Sequence, residues 1–335
     1  MQPDATTLAH ANIAAVVPAF QVAPQIERVV RTIPAYVRHV IVVDDGSHDG
    51  TAEIVAGLLD ERVELVRHRK NQGVGGAMLS GYSRALQRGA EIVVKIDGDG
   101  QMDPERLPAL VAPLLAGTAD YAKGNRFLHP LELQQMPGLR RAGNLGLTFL
   151  TKAASGYWPI FDPTNGYTAV RGHVLRLVDP RRVAHGYFFE TSLLLELRRL
   201  RAVVIDVPMP SVYRDEQSSL SPGKALATFP LKLWSGFWRR IAREYFLYNF
   251  SAASALIVAG LPLVLFGVIW GAAHWYLSIK NGQVATTGTV LLAVLPIILG
   301  VQCLLQALVL DIGGVPREPI AGRLLEETAV PVGAL

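Results

Sequence analysis

The stretch that decides the fold of this chain is Val93-Val94-Lys95-Ile96-Asp97-Gly98-Asp99-Gly100-Gln101. A β-branched run ends there in two carboxylates one residue apart, and open α/β sheets bind ligands at the carboxyl ends of their strands. Such a pair offers oxygen ligands that suit a hard divalent ion, Mg²⁺ or Mn²⁺, which keeps waters and bridges phosphates. A polar turn rich in Asp and Gly is the alternative for this stretch taken alone. An EF-hand loop is disfavoured because Met102 and Pro108 stand where that loop needs glycine and glutamate.

Strand and helix patterns alternate on both sides of this stretch. Upstream, we expect strands at 13–17, 39–43, 63–66 and 91–96 and helices at 25–31, 51–59 and 76–88. Downstream, we expect helices at 107–115, 142–155 and 191–201, strands at 119–123, 164–170 and 203–207, and irregular segments at 128–141 and 212–222. This order predicts an α/β fold with a parallel, doubly wound sheet and right-handed crossovers.

The composition limits the class of protein. Charged residues make up only 18% of the 335 residues and the net charge is +4, which gives no support to nucleic-acid binding. Cys303 is the single cysteine, so no intramolecular disulfide is expected and the globular part suits a reducing compartment. Residues 1–10 lack the basic and apolar regions of a cleaved secretory signal.

Two long uncharged segments lie near the C-terminus. Residues 251–276 and 286–310 are each long enough to span a bilayer, and a pair of buried core helices is the alternative. We therefore expect a globular domain at 1–223, interfacial helices at 224–250, two transmembrane helices at 251–312 and a tail at 313–335. Basic residues precede the first span, whereas the connection between the spans carries only Lys280. The positive-inside rule then places the globular domain and the tail in the cytoplasm.

Two further polar motifs lie at predicted element boundaries. Asp44-Asp45-Gly46-Ser47 closes the second strand, where its carboxylates could accept hydrogen bonds from a nucleobase or ribose; a capped turn is the alternative. Asn71-Gln72-Gly73-Val74-Gly75-Gly76-Ala77 opens a helix, a natural place for backbone N–H groups near phosphate. Met78 breaks the Rossmann fingerprint, and the sequence contains no P-loop motif.

Arginines in predicted loops are candidate phosphate ligands, because a guanidinium binds phosphate through two parallel hydrogen bonds, although a loop arginine is often only solvated. They are Arg126, Arg140, Arg141 and Arg214. Glu190 ends the aromatic motif Gly186-Tyr187-Phe188-Phe189-Glu190, where it is either a candidate general base or an ordinary acidic residue at a helix N-terminus. The sequence contains no nucleophile elbow, which disfavours a serine hydrolase.

Several motifs occur in a fixed order along the chain: Val17-Pro18-Ala19-Phe20, Asp44-Asp45-Gly46-Ser47, Asn71-x-Gly73-x-Gly75, Asp97-x-Asp99-x-Gln101, Gly124-Asn125-Arg126 and residues 186–190. This order resembles that of the inverting family 2 glycosyltransferases. Within them, the chain is most similar to the polyprenyl-phosphate glycosyltransferases, the branch typified by dolichol-phosphate mannosyltransferase. The resemblance covers about residues 12–215, and several members of the branch carry two C-terminal spans.

The resemblance implies a GT-A fold, which has a Rossmann-like, mostly parallel sheet, and a nucleotide-sugar donor. Residues that match the positions binding the metal, Mg²⁺ or Mn²⁺, and the donor diphosphate are Asp97, Asp99 and Gln101. Residues that match the other donor-binding positions are Pro18, Phe20, Asp44, Asp45 and Gly73. Residues with implied catalytic roles are Asp99, Arg126 and Glu190. Residues implied to bind the acceptor or its phosphate are Arg140, Arg141, Arg214, Ser218 and Ser219.

Two reactions are compatible with this resemblance. The first is metal-dependent, inverting transfer of a sugar to polyprenyl phosphate at the cytoplasmic face of a membrane, expected to be a bacterial inner membrane. A lipid phosphate is already ionised near neutral pH, so this reaction needs no general base. The second is transfer to a sugar hydroxyl of a lipid-linked or polysaccharide acceptor, with Glu190 as the general base that a hydroxyl needs. The position of Glu190 is often an amide in the lipid-phosphate branch, so the carboxylate here keeps this second reaction open. A non-catalytic membrane component is less favoured, and association into a homo-oligomer is left open.

Overall fold

The computed structural model of the chain describes residues 3–126, 138–163, 165–209 and 222–321. Its strands are β1 Ile13–Ala19, β2 His39–Asp44, β3 Val63–Arg67, β4 Ile92–Lys95, β5 Tyr121–Asn125, β6 Thr168–Arg171 and β7 Val204–Pro208. Its α-helices are α1 Ala5–His10, α2 Ala23–Thr32, α3 Thr51–Ala56, α4 Val74–Gln87, α5 Leu107–Leu115, α6 Gly138–Ser155, α7 Gly172–Leu177, α8 Phe189–Arg199, α9 Pro222–Ala242, α10 Ala252–Asn281 and α11 Thr287–Gly313. The chain up to Gly236, together with the chain from Pro316 onward, forms one compact unit, and Phe237–Val315 forms another.

A mixed sheet of seven strands in the order β3-β2-β1-β4-β6-β5-β7 forms the centre of the first unit. Strands β3, β2, β1 and β4 are parallel to their neighbours, and β5 pairs with β7 in parallel. Strand β6 runs antiparallel to both β4 and β5. The predicted α/β fold with a mostly parallel sheet is confirmed, and the antiparallel direction of β6 is a detail that the sequence did not predict. A short buried run looks the same in either direction, because apolar periodicity carries no information about strand polarity.

Strand β1 continues past Pro18 to Ala19, whereas the sequence suggested that Pro18 closes it. The ladder with β4 stops at the pair Val16 and Lys95, so on that side no partner requires the N–H that proline lacks. On the other side, β2 pairs with β1 as far as Ala19 and Asp44. The strand therefore reaches the edge of the sheet where Asp44 lies.

The core lies between this sheet and the helices packed on it. The central strands are buried along their length, as expected for strands covered on both faces. Helix α2 presents Ile26, Val29 and Val30 to the core, at the spacing that places them on one face of a helix. Burying such an apolar stripe is the main driving force that attaches the helix to the sheet.

Some element boundaries differ from the expected ones. Residues 138–141 are helical as part of α6, although an irregular segment was expected there, and 127–137 and 210–221 lie outside the described residues. Helix α3 stops at Ala56, where Gly57 is the C-cap, instead of reaching residue 59. Helices α1 and α7 were not expected, since each has only six residues and too few turns for a clear helical period.

Helices α10 and α11 pack against each other in the second unit. Both are long and apolar enough to cross a membrane, with mean hydropathies of 2.4 and 2.3. Both extend beyond the expected spans, to Asn281 and Gly313 respectively. A Cβ added at Gly300 would lie 2.7 Å from the Gly260 carbonyl oxygen and 2.8 Å from the Val264 nitrogen. The small residues therefore permit close contact within the pair.

Candidate active site

The carboxyl ends of β1, β2 and β4 meet at one edge of the sheet. Asp44 ends β2 opposite Ala19, and the next N–H, that of Asp45, donates to the Ala19 carbonyl at 2.8 Å. The turn after β4 returns to β1, because a Cβ added at Gly98 would lie 3.1 Å from the Pro18 carbonyl oxygen. The segments that carry Pro18, the Asp44–Asp45 pair and Asp97 are thus brought together, as sequence reasoning expected from parallel strands.

Asp97 and Asp99 lie on the turn that follows β4. The Gln101 N–H donates to Asp99 Oδ1 at 3.0 Å, which closes the turn. Asp97 Oδ1 lies 2.8 Å from Lys95 Nζ, and the Asp97 side chain remains 31% exposed. A ligand can therefore reach the Asp97 carboxylate even though one of its oxygens is engaged.

The residues of this turn fit a hard divalent cation. Asp97, Asp99 and Gln101 all carry oxygen donors, the ligand type that Mg²⁺ and Mn²⁺ prefer, and they lie on one short turn. The backbone of Gly166 lies close to this turn, since a Cβ at that residue would lie 2.7 Å from Asp97 Oδ2. No cluster of three or more His, Cys, Asp or Glu suited to a metal occurs among the described residues. The chain would thus supply part of a coordination shell, as is usual for Mg²⁺ that keeps waters and phosphate ligands.

Lys95 joins this turn to Glu190. Its ammonium lies 3.0 Å from Glu190 Oε1, and its side chain is only 2% exposed. Burial lowers the pKa of Lys95, but the charges of Asp97 and Glu190 and their hydrogen bonds outweigh burial, so the pKa rises above its ordinary value. The ammonium is therefore charged at neutral pH. Glu190 lies in the first turn of α8, which agrees with its helix-terminal interpretation, and its carboxylate contacts Lys95, which also contacts Asp97.

Asp45 is buried and holds the glycine-rich loop. Its two oxygens accept hydrogen bonds from the Gln72 and Gly73 N–H groups at 2.9 and 2.8 Å. His68 Nδ1 lies 2.7 Å from Asp45 Oδ1 and His68 Nε2 lies 2.9 Å from Ser80 Oγ. Because a carboxylate only accepts, Nδ1 carries the proton in this arrangement. The network fixes Asp45 at the end of β2.

The backbone N–H groups of the glycine-rich loop face the protein itself. Those of Gly75 and Gly76 donate to the His185 carbonyl oxygen at 2.6 and 3.2 Å, and those of Gln72 and Gly73 donate to Asp45. This differs from the expectation that these N–H groups lie free for phosphate, because a loop with so many glycines needs internal partners to become ordered. That Gly73 contacts the nucleotide-sugar donor stays a prediction.

Asp44 and Phe20 lie at the same edge. Asp44 accepts a hydrogen bond from the Ser47 N–H at 3.2 Å and lies 3.8 Å from Arg67 Nε. This is the Asx-type turn of the alternative interpretation, but the motif does not cap the following helix, because its N-cap, Gly50, has no side-chain cap. Phe20 follows β1 and is 45% exposed, so its ring is available to a planar ligand.

Arg126 follows β5 and is held by Asp162. Its Nε and Nη2 donate to the two Asp162 oxygens at 2.8 and 2.9 Å, a bidentate pair. Lys95 on β4 and Lys123 on β5 are both paired with Thr168 on β6. Because β4 and β5 are both antiparallel to β6, they point the same way. Arg126 and Asp97 therefore follow their strands at the same edge of the sheet.

Some predicted site residues are not described. The side chains of Arg140 and Arg141 and the whole of Arg214, Ser218 and Ser219 lie outside the described part of the chain, so their roles stay predictions. The backbone at Arg140 and Arg141 is helical, which corrects their assignment to an irregular segment.

Sequence reasoning missed the residues that hold the site together: Lys95, His68 and Asp162. Lys95 carried a signal, because a charged residue inside a buried β-branched run needs a partner. His68 and Asp162 carried none, since their partners lie far away in the sequence.

The mostly parallel sheet and the carboxylates at its edge define a GT-A-like α/β protein. The model of the family "Glycosyl transferase family 2" matches residues 14–177. The polyprenol monophosphomannose synthase of Mycolicibacterium smegmatis is 32% identical over 208 residues, which cover 58% of this chain and 76% of that protein. The chain belongs to glycosyl transferase family 2 and is a glycosyltransferase.

Two other proteins are similar to this chain in sequence or in fold. The UDP-N-acetylglucosamine–dolichyl-phosphate N-acetylglucosaminyltransferase of Methanococcus voltae is 29% identical over 215 residues, 60% of this chain and 85% of that protein. Glucosyl-3-phosphoglycerate synthase from Mycobacterium tuberculosis, in a crystal structure with Mn²⁺, UDP-glucose and phosphoglyceric acid, superposes with a TM-score of 0.52 and 21% identity, covering 70% of this chain and 81% of that one. The latter likeness shows the fold alone.

Proposed function

We propose that this glycosyltransferase moves a sugar from a nucleotide-sugar donor to a polyprenyl phosphate, with inversion at the anomeric carbon. The names of the relatives from Methanococcus voltae and Mycolicibacterium smegmatis support a polyprenyl-type acceptor. The observation that carries the proposal is the Asp97–Asp99 turn at the sheet edge, in a chain with two helices long enough to cross a membrane. A soluble carbohydrate acceptor would not require those helices.

In this proposal Asp97, Asp99 and Gln101 would hold Mg²⁺ or Mn²⁺. The bound ion neutralises charge on the diphosphate leaving group. The donor set of two carboxylates and an amide supports either ion. Mn²⁺ in the crystal structure of glucosyl-3-phosphoglycerate synthase is consistent with this assignment.

Donor binding is assigned to the edge formed by β1 and β2. Pro18, Phe20, Asp44 and Asp45 contact the base and ribose, and Gly73 lies in the adjoining loop. Arg126 orients a phosphate of the donor, and its bidentate pair with Asp162 fixes the plane of its guanidinium. Fixing the guanidinium in advance lowers the cost of aligning the leaving group.

Acceptor binding is assigned to residues nearer the membrane. Arg140, Arg141 and Arg214 bind the lipid phosphate, and Ser218 and Ser219 shape the site. The exposed aromatic residues Trp234 and Trp238 support an interfacial position for the 224–250 segment. The basic residues before the first span support a cytoplasmic catalytic domain in a bacterial inner membrane.

The direct test is incubation of purified protein with Mn²⁺, polyprenyl phosphate and a panel of nucleotide sugars. We expect release of one nucleoside diphosphate together with an acid-labile sugar-phosphate lipid. Asp99→Ala is expected to lower the rate by about 10²-fold or more. Sugar transfer that requires a lipid-linked saccharide and ignores polyprenyl phosphate would refute the acceptor assignment.

The second candidate function is transfer to a sugar hydroxyl with Glu190 as general base. The contact of Glu190 with Lys95, which also contacts Asp97, favours this second reaction, because a general base must lie close to the reacting atoms. Glu190→Gln separates the two reactions. At saturating Mn²⁺, this change should leave lipid-phosphate transfer largely intact, but it should slow a hydroxyl reaction by about 10²–10⁴-fold.

A further inference from the structure

The Lys95 ammonium contacts the carboxylates of both Asp97 and Glu190. It lies 2.8 Å from Asp97 Oδ1 and 3.0 Å from Glu190 Oε1. These residues are distant in the sequence, since β4 supplies Lys95 and the start of α8 supplies Glu190. The bridge therefore fixes the carboxylate after β4 relative to the helix that carries Glu190.

The surroundings leave the ammonium little freedom. The Lys95 side chain is almost fully buried, and a Cβ added at Gly166 would overlap Nζ. The backbone of Gly166 thus closes the space beside the ammonium. Such a confined charge acts on its neighbours at short range, where electrostatic effects are strong because water is excluded.

Charge balance gives Lys95 a second effect. A divalent ion on Asp97 and the Lys95 ammonium are like charges that share one carboxylate, so Lys95 weakens binding of the ion. Glu190 has the opposite sign and partly offsets this repulsion. A moderate affinity favours turnover, since the ion and the nucleoside diphosphate product must both leave.

We propose that Lys95 is a positioning residue that orients Asp97 and limits the affinity of the metal site, with Glu190 as its counter-ion. This inference rests on the proposed metal role of Asp97. It assigns Glu190 a charge-balancing role in the lipid-phosphate reaction, where no general base is needed.

The test is the dissociation constant of Mn²⁺ alone, measured by electron paramagnetic resonance on the full-length protein. Lys95→Met should bind Mn²⁺ about tenfold more tightly, and Glu190→Gln about tenfold more weakly. The Mn²⁺ dissociation constant of the double variant should return to within about threefold of the wild-type value. Because the double variant removes both buried charges, it also provides a test if Lys95→Met alone fails to fold. Lys123→Met removes another buried ammonium, which contacts the Asp162 carbonyl, and should shift Mn²⁺ affinity by less than about twofold.

A kinetic measurement separates this role from a merely structural one. In Lys95→Met, kcat for lipid-phosphate transfer should fall by about 10²-fold while Mn²⁺ binds more tightly, a combination that misfolding does not produce. The wild-type protein should bind and require Mn²⁺. If it does and folded Lys95→Met binds Mn²⁺ with unchanged or weaker affinity, the inferred role of Lys95 is overturned and the proposed metal site is not. Wild-type protein that does not bind Mn²⁺ would instead overturn the proposed metal site.

Discussion

Asp45 shows how one buried residue can organise a loop. A carboxylate in a buried position must be satisfied, and here Gln72, Gly73 and His68 all contact it. His68 in turn contacts Ser80 on α4. The loop and the end of β2 therefore share one set of hydrogen bonds.

Replacing His68 should weaken donor binding more than it slows the chemical step. We expect His68→Ala to raise the KM for the nucleotide sugar by about tenfold. The variant loses the hydrogen bond from His68 to Asp45, whereas the Asp97–Asp99 turn is unchanged. Ser80→Ala removes only the outer partner and should change this KM by less than about threefold. Steady-state kinetics on both variants measures the effect, and a loss confined to kcat would contradict it.

The Arg126–Asp162 pair makes stability depend on pH. Burial raises the pKa of Asp162, but hydrogen bonds and charge from Arg126, with the charge of Lys123, outweigh it and hold this pKa below the ordinary 3.8. A lowered pKa means that the folded state binds the proton less tightly than the unfolded state. The contribution is thus present above about pH 4 and is lost as pH falls through the lower folded value.

Denaturant unfolding of Asp162→Asn tests this reasoning. The wild type should be more stable than the variant at pH 7, and the difference should shrink as the pH falls from about 5 to about 3. The asparagine retains shape but has no charge to lose. A difference between the two proteins that stays constant over this range would contradict the assignment.

At the scale of elements, close packing distinguishes α10 and α11. Their contact depends on Gly260 and Gly300, whose backbones approach each other too closely for side chains. These two glycines are 40 residues apart and lie on different helices, so their contact across the pair could not be read from the sequence.

Gly300→Val should destabilise the helix pair. The added side chain would meet the backbone of Gly260 and Val264, and overpacking of this kind typically costs about 1–3 kcal/mol. Gly313→Ala is the control, since no atom lies within 4 Å of a Cβ built at that residue. Thermal unfolding in detergent measures both variants, and equal stability for the two would contradict this role.

A buried ion pair joins α9 to the end of α11. Arg240 Nη1 and Nη2 donate to the two Asp311 oxygens at 2.6 and 3.0 Å, and the Tyr245 hydroxyl donates to the same carboxylate at 2.5 Å. Asp311 lies immediately after the uncharged run that predicted the second span. The run therefore ends where a buried charge has its partner.

Replacing one residue of the Arg240–Asp311 pair should lower the free energy of unfolding more than replacing both. Asp311→Leu leaves Arg240 buried without its main partner and should destabilise the second unit by about 3–5 kcal/mol. Arg240→Met combined with Asp311→Leu should recover most of that loss. Unfolding in detergent of the wild type, both single variants and the double variant checks the cycle, and additive losses would show that the two residues are not coupled.

For the whole molecule, the order of elements could be predicted from sequence, but the contacts between distant residues could not. The apolar runs that became β1, β2 and β4, and the polar residues after them, placed the site at one sheet edge because parallel strands end together. The direction of β6 and the bridge from Lys95 to Glu190 depend on pairings across the fold, which local patterns do not encode.

The first compact unit is formed by two segments of the chain, one before and one after the segment that carries α10 and α11. Residues 316–321 belong to the first unit, where the Ile320 N–H donates to both Asp120 oxygens at 3.1 and 3.0 Å. If α10 and α11 cross a membrane, both ends of the pair lie on one side, which agrees with the predicted topology of an even number of spans.

The central claim is that a divalent cation on the Asp97–Asp99 turn is required for sugar transfer to a membrane lipid. The measurement that tests it most directly is formation of sugar-phosphate lipid by purified protein after removal of metal with excess EDTA and after addition of Mn²⁺. We predict that transfer falls by about 10²-fold or more without metal and returns on addition of Mn²⁺. Full transfer in excess chelator would contradict the account.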